Sequence, residues 1–223
     1  MEKSERVSES IRLGTILALS GGFMDAYSYL VRGGVFANAV TGNIVQLGLN
    51  LAEGNFSRAL YCFIPVLSFA AGVFVAEAIR EKMGDDGSVH WKEAILYAEL
   101  VLVFLAGFMP QQWNSIVNFS IAFVCAMQVE AFRKVHGKAF ATTMCTGNLR
   151  SGTELLSLGI LHGDKEKKSQ AMHYYWIDLA FCGGAVLGFF GCRMFAERAI
   201  WFCLIMLVLA LAFIHYQKRK LKV

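Results

Sequence analysis

Thr41-Gly42-Asn43, set inside the apolar stretch 35–52, recurs as Thr146-Gly147-Asn148 inside a second apolar stretch, 139–161. Each triplet follows a helical segment carrying an acid beside an alanine, first Asp25-Ala26 and then Glu130-Ala131. In the register set by the triplets, Ala26 falls on Ala131, Leu51 on Leu156 and Gly54 on Gly159. With seven further residues inserted in the second copy, Phe69-Ala70-Ala71-Gly72 falls on Phe181-Cys182-Gly183-Gly184. Two unrelated landmarks in the same order predict a duplicated chain, with one repeat over 11–110 and the other over 114–217.

Composition sets the solvent. Hydrophobic residues make up 56% of the chain and charged ones 17%, with a mean hydropathy of +0.49; an ordinary soluble domain is about a quarter charged. The 223 residues are nearly used up by apolar segments, so a single integral membrane domain, 1–223, is expected. A run of about 20 residues spans a bilayer core, and segments 11–31, 59–79, 94–109, 116–132, 174–192 and 200–216 approach or reach that length. The fold class predicted is all-α: a polytopic helical membrane protein with about six spans plus two interrupted or re-entrant segments. The polar first ten residues and the Gly84-Asp85-Asp86-Gly87 loop lie outside the spans.

Positive charge arbitrates the topology. With six spans, sixteen Lys and Arg fall on the side of both termini, four (Arg32, Arg58, Arg193 and Arg198) on the other, and Arg150 within the second triplet segment. If the triplet segments also crossed, the split would be eleven to nine. Cytoplasmic loops carry the excess of Lys and Arg, so six spans with both termini cytoplasmic are expected. Three spans per repeat is an odd number, which inverts the second repeat and brings the two triplets in from opposite faces. Broken helices of inverted repeats, meeting near the midplane, are a recurrent way to build a transporter site.

The triplets suit such a break. Glycine relaxes the backbone, and the hydroxyl and carboxamide of Thr41, Asn43, Thr146 and Asn148 can cap freed groups or bind a solute. A capped helix end is the ordinary reading of one copy; its repetition at membrane depth favours a pathway through Gly42 and Gly147. Asp25, Glu99, Glu130 and Asp178 fall in or near spans, where an ionisable group is costly and functional by default. Asp25 and Glu130 occupy matching positions, so either can accept a proton or pair with a cation; Glu130 equally fits a boundary pair with Arg133. Arg150 and Glu154, four residues apart, fit a one-helix ion pair; alternatively Arg150 attracts an anionic substrate or neutralises Asp25.

Other chemistry is not encoded. No hydrolase, zinc or nucleotide-binding motif is present, the five histidines form no close pair, and the six cysteines read as packing residues. No catalytic residue, metal or cofactor is therefore expected. The basic end Lys218-Arg219-Lys220-Leu221-Lys222 reads as an anchor beside lipid headgroups, with no nucleic-acid partner. Gly184, Gly188 and Gly191 form a small-residue face suited to a homo-oligomer.

The combination Gly21-Gly22-Phe23-Met24-Asp25-Ala26-Tyr27-Ser28-Tyr29-Leu30, Gly33-Gly34-Val35-Phe36 and Thr41-Gly42-Asn43 resembles the bacterial YoaK family. Ala131, Arg133 and Gly137 before the second triplet fit the same pattern, while Val129-Glu130 departs from it. The resemblance covers nearly the whole chain and implies a bacterial inner-membrane protein of about six helices; it supplies no substrate or reaction. The expected function is a small-solute or ion transporter, or channel-like protein, with a midplane site at the two breaks. A membrane enzyme acting on a lipid or quinone, and a non-catalytic partner subunit, stand as alternatives.

Overall fold

The computed structural model describes residues 10–83, 90–135, 138–139 and 142–222. The first nine residues, the loop 84–89 and Gly137 lie outside them. Among the described residues the helices are α1 (Ile11–Val31), α2 (Val40–Ala52), α3 (Phe56–Met83), α4 (His90–Ala106), α5 (Asn114–Ala131), α6 (Cys145–Leu161), α7 (Lys165–Phe195) and α8 (Trp201–Lys222). The all-α expectation holds, with one addition: a two-residue antiparallel ladder pairs Lys134–Val135 with Lys138–Ala139. Phe56–Met83 and the run Lys165–Lys220 are long and apolar enough to cross a membrane by length and composition.

Local chemistry sets the ends. Ser10 caps α1 by accepting the Arg12 N–H, and Gly33 and Gly34 stop it at φ +88° and +73°, a backbone region glycine enters without strain. Asp164 caps α7 by accepting Glu166 and Lys167 N–H at 2.9 and 3.1 Å, and so starts that helix well before the apolar run 174–192. Both triplet segments are shorter as helices than as apolar stretches: α2 begins at Val40 and α6 at Cys145, each after an irregular approach.

The helix packing has an internal symmetry. Helix α1 lies along α7 and α3 along α5; α2 rests on α3 and α6 on α7; α4 meets α5 and α8 meets α1. This pattern is unchanged when the two halves are exchanged. The long pairs approach through glycine. A side chain at Gly22 would run into the Phe181 carbonyl, at Gly184 into the Leu19 carbonyl, and at Gly72 into the Phe123 carbonyl. Gly188 and Gly191 likewise face Phe23 of α1. Gly184, Gly188 and Gly191, read from sequence as a face for a second copy, pack on α1 within the chain, because close backbone approach is what the α1–α7 pair itself requires. Outward, the protein presents large apolar side chains such as Phe56, Phe74, Leu179, Met194 and Val208.

Side-chain bonds sort the ends of the helices. At one end Glu130 meets Arg80 and Arg133, and Glu93 meets Lys218 at 2.7 Å. At the other, fully buried Arg32 donates to the Tyr27 hydroxyl, Asn114 Oδ1 and the Ala106 carbonyl at 2.7, 3.0 and 3.0 Å. There too Arg58 donates to the Gly33 carbonyl at 2.7 Å and Trp201 to the Phe104 carbonyl at 3.0 Å.

Candidate functional site

Beyond Arg32 the chain turns back along α1. The Ala37 N–H donates to Ser28 Oγ at 3.1 Å, the Asn38 N–H to Asp25 Oδ1 at 2.6 Å, and Asn38 Nδ2 to the Gly21 carbonyl at 3.2 Å. These bonds carry the start of α2 to the level of Gly21 and Asp25, midway along α1. Helix α2 then returns to the end it came from, where Arg58 at the start of α3 meets Gly33.

The triplet holds this doubling-back closed. Asn43, fully buried, accepts the Phe36 N–H at 2.9 Å and donates to the Phe36 carbonyl at 2.7 Å, standing in for a backbone strand partner. A Cβ at Gly42 would sit 3.2 Å from the Phe36 ring, which is tight for any side chain. Thr41 stays exposed at the break.

The second arm reaches the same level from the other end. The methyl of Thr143 packs against Gly21, and Asn148 Nδ2 donates to Asp178 Oδ1 on α7 at 3.0 Å. Gly159 lies against the backbone of Asp164 and Lys168, which ties the far end of α6 to the start of α7. The N-cap residues Ala39 and Met144 supply no side-chain cap to α2 or α6.

The two helix starts share one cavity of about 270 Å³. Asn38 and Thr143, Ala39 and Met144, Val40 and Cys145, and Thr41 and Thr146 line it, with Gly147 and the rings of Phe69 and Phe181. Each named pair matches in the register that aligns the two triplets, the phenylalanines through the second landmark. Asn38 and Thr143 are each 4% exposed, and Asn38 Oδ1 and Thr143 Oγ1 have no hydrogen-bond partner among the described residues. Each helix start carries about half a positive charge. Asp25 and Asp178 stand beside the breaks, one on the Asn38 amide and the other on the Asn148 carboxamide.

The remaining candidates are elsewhere. Glu130, which the register places on Asp25, is drawn to Arg133 at 2.9 Å and Arg80 at 3.8 Å, away from the cavity. Arg150 and Glu154 are both exposed on α6, and among the described residues no ion pair joins them. Asn38, Thr143, Phe69 and Phe181 were not singled out as site residues by sequence, although the two phenylalanines fall on each other in the second aligned landmark. Glu99 is fully buried and accepts Gln128 Nε2 at 3.1 Å on both oxygens.

Residues 13–213 match the family described as "Protein of unknown function (DUF1275)", and the chain belongs to that family. It is also similar to the "UPF0700 transmembrane protein YoaK" of Bacillus subtilis (strain 168), at 27% identity over 186 residues, which cover 78% of this chain and 80% of the relative. The relative's description and the apolar helices agree on a membrane location. No solved structure matches the chain.

Proposed function

We propose that this DUF1275 protein moves a small solute or ion across the bacterial cytoplasmic membrane, and that the cavity between the two Thr-Gly-Asn helix starts is its binding site. One observation carries the reading: residues at matching positions of the two triplet segments converge on a single cavity with buried polar atoms that have no partner among the described residues. Irregular backbone at membrane depth is tolerated only inside protein or beside a wet cavity, and this break has both around it.

The accompanying topology has six spans, α1, α3, α4, α5, α7 and α8, with both termini cytoplasmic and lipid around the outer face. Helices α2 and α6 are re-entrant and belong to inverted repeats. At 1.5 Å per residue, the 13 residues of α2 cover roughly 20 Å, short of a core about 30 Å thick. The charge distribution supports the same arrangement: Arg80, Arg133 and Lys218 gather at one end, and Arg32 and Arg58 at the other.

In this mechanism Thr41 and Thr146 face the solute, Asn43 clamps the first break against Phe36, and Asn148 ties the second to Asp178. Gly42 and Gly147 keep the helix starts free of side chains. Rocking of one half against the other exposes the site to each side in turn. Asp25, bound to the backbone at the break, is the proton-coupling group.

The test is flux in proteoliposomes over a panel of ions, amino acids and organic anions, with and without a pH gradient. Transport that stops when a cysteine introduced at Thr146 is modified supports the reading. A protein that moves no member of the panel sinks it.

A further inference from the structure

We infer that the cavity takes a small organic carboxylate: its charged end sits at the starts of α2 and α6 beside the Thr143 hydroxyl, and its carbon body lies between Phe69 and Phe181. This inference rests on reading the cavity as a solute site, and it names the class of solute.

The sign of the ligand follows from what faces the space. Two helix starts, each with a partial positive charge and an N-cap residue that supplies no side-chain cap, open into one cavity, an arrangement that favours an anion. The Thr143 hydroxyl, buried and without a partner among the described residues, adds a side-chain donor. No Lys, Arg, Asp or Glu lines the cavity. The nearby carboxylates are engaged behind it, Asp25 with the Asn38 N–H and Asp178 with the Asn148 carboxamide. A cation would find the Asn38 Oδ1 acceptor but no carboxylate on the wall, and it would meet two positive helix ends.

The size and walls favour an organic body over a bare ion. At about 270 Å³ the cavity holds the volume of roughly nine waters, so a single halide leaves most of it unfilled. Phe69, Phe181, Val40 and Met144 make much of the wall apolar. An apolar body with one anionic group matches both the wall and the helix starts; an aromatic carboxylate the size of benzoate is the natural probe.

Titration calorimetry on the purified protein in detergent, corrected with protein-free micelles, tests this with benzoate, benzyl alcohol, benzylammonium and chloride. Benzoate is expected to saturate one site and to bind roughly tenfold or more tighter than benzyl alcohol, the size of effect a charge-assisted hydrogen bond gives. Thr143→Val is expected to weaken benzoate by about tenfold, and Thr143→Ser to restore most of the affinity. Replacing an unpartnered buried hydroxyl by a methyl leaves stability unchanged or raised, so the unfolding midpoint of Thr143→Val separates lost binding from lost fold. Benzylammonium or benzyl alcohol binding as tightly as benzoate overturns the inference, as does Thr143→Val without effect on affinity. Chloride binding as tightly as benzoate overturns its organic part. Benzoate binding without flux of any solute removes the transport reading and leaves this one standing. Flux of a cation or neutral solute with no benzoate binding does the reverse.

Discussion

Asp25 Oδ1 accepts the backbone N–H of Asn38 at 2.6 Å, thirteen residues along the chain. That bond sets how deep the first break reaches, because it fixes the approach to α2 against the middle of α1. Asp25 is 5% exposed, so removing its acceptor leaves a buried N–H unsatisfied. Asp25→Ala is expected to cost about 1–3 kcal/mol, whereas Asp25→Asn keeps an oxygen for the bond and costs less. Unfolding in detergent measures the difference. In proteoliposomes, uptake by Asp25→Asn is expected not to respond to an imposed pH gradient; a response equal to wild type removes Asp25 as the coupling group.

The glycines divide by what surrounds them. At Gly72 and Gly184 a methyl group meets a carbonyl of the neighbouring helix, Phe123 or Leu19. Alanine at either site forces the pair apart, at about 1–3 kcal/mol. Gly48, inside α2, has nothing within 4 Å of a Cβ. Gly48→Ala is expected to raise stability by up to about 1 kcal/mol through helix propensity. Midpoints that fall equally in all three variants would remove close helix approach as the reason for the glycines.

Much of this arrangement was legible before the fold. The paired triplets marked where α2 and α6 start, and the matched Phe69 and Phe181 marked two walls of one cavity, because apolar patterning and helix-breaking residues act locally. Partner choice was less legible. The glycine spacing of α7 signalled close approach but could not say whether α1 or a second copy fills it. For Glu130 the sequence left two readings, a match to Asp25 and a boundary pair with Arg133, and Arg133 holds it. Arg32 was counted as a loop charge; its partners Ala106 and Asn114 lie 74 and 82 residues on, beyond anything local spacing reveals.

Arg32 itself carries a prediction. It is fully buried and makes three bonds in a fixed fork, to Tyr27, Asn114 and the Ala106 carbonyl. Lysine has no planar fork and cannot reproduce that set. Arg32→Lys and Arg32→Ala are both expected to lose more than about 3 kcal/mol, since each bond to a charged donor contributes about 1.5–3 kcal/mol. Near-wild-type unfolding of Arg32→Lys would show that the fork is not needed.

Acid acts at the start of α7. Hydrogen bonds from Lys167 N–H above all, and from Glu166 N–H, hold the Asp164 carboxyl below its ordinary value. A depressed folded value adds stability above the unfolded value, about 3.9, and that stability is lost as pH falls through the lower folded one. Hydrogen exchange at Glu166 and Lys167 is therefore expected to lose protection below roughly pH 4 in the wild type. Asp164→Asn retains an acceptor without the titrating charge, so its protection is expected to be flatter over the same range. Identical profiles would assign the acid sensitivity to another group.

Topology can be tested at the two turns that close the triplet helices. Asn55, between α2 and α3, and His162, between α6 and α7, are both exposed. Asn55 follows the helix that returns to the Gly33–Arg58 end; His162 follows the one whose Gly159 packs on the start of α7, where Trp176 bonds Thr15. Single cysteines at these sites, in a chain with exposed Cys182 changed to serine, report the side each turn faces. A membrane-impermeant maleimide added to intact cells is expected to label Asn55→Cys and to reach His162→Cys only after the membrane is opened. Both labelling from outside breaks the opposed entry of the two helices. Both requiring an opened membrane favours eight crossings, which would in turn discard the positive-inside split that placed Arg58 outside and Arg133 within.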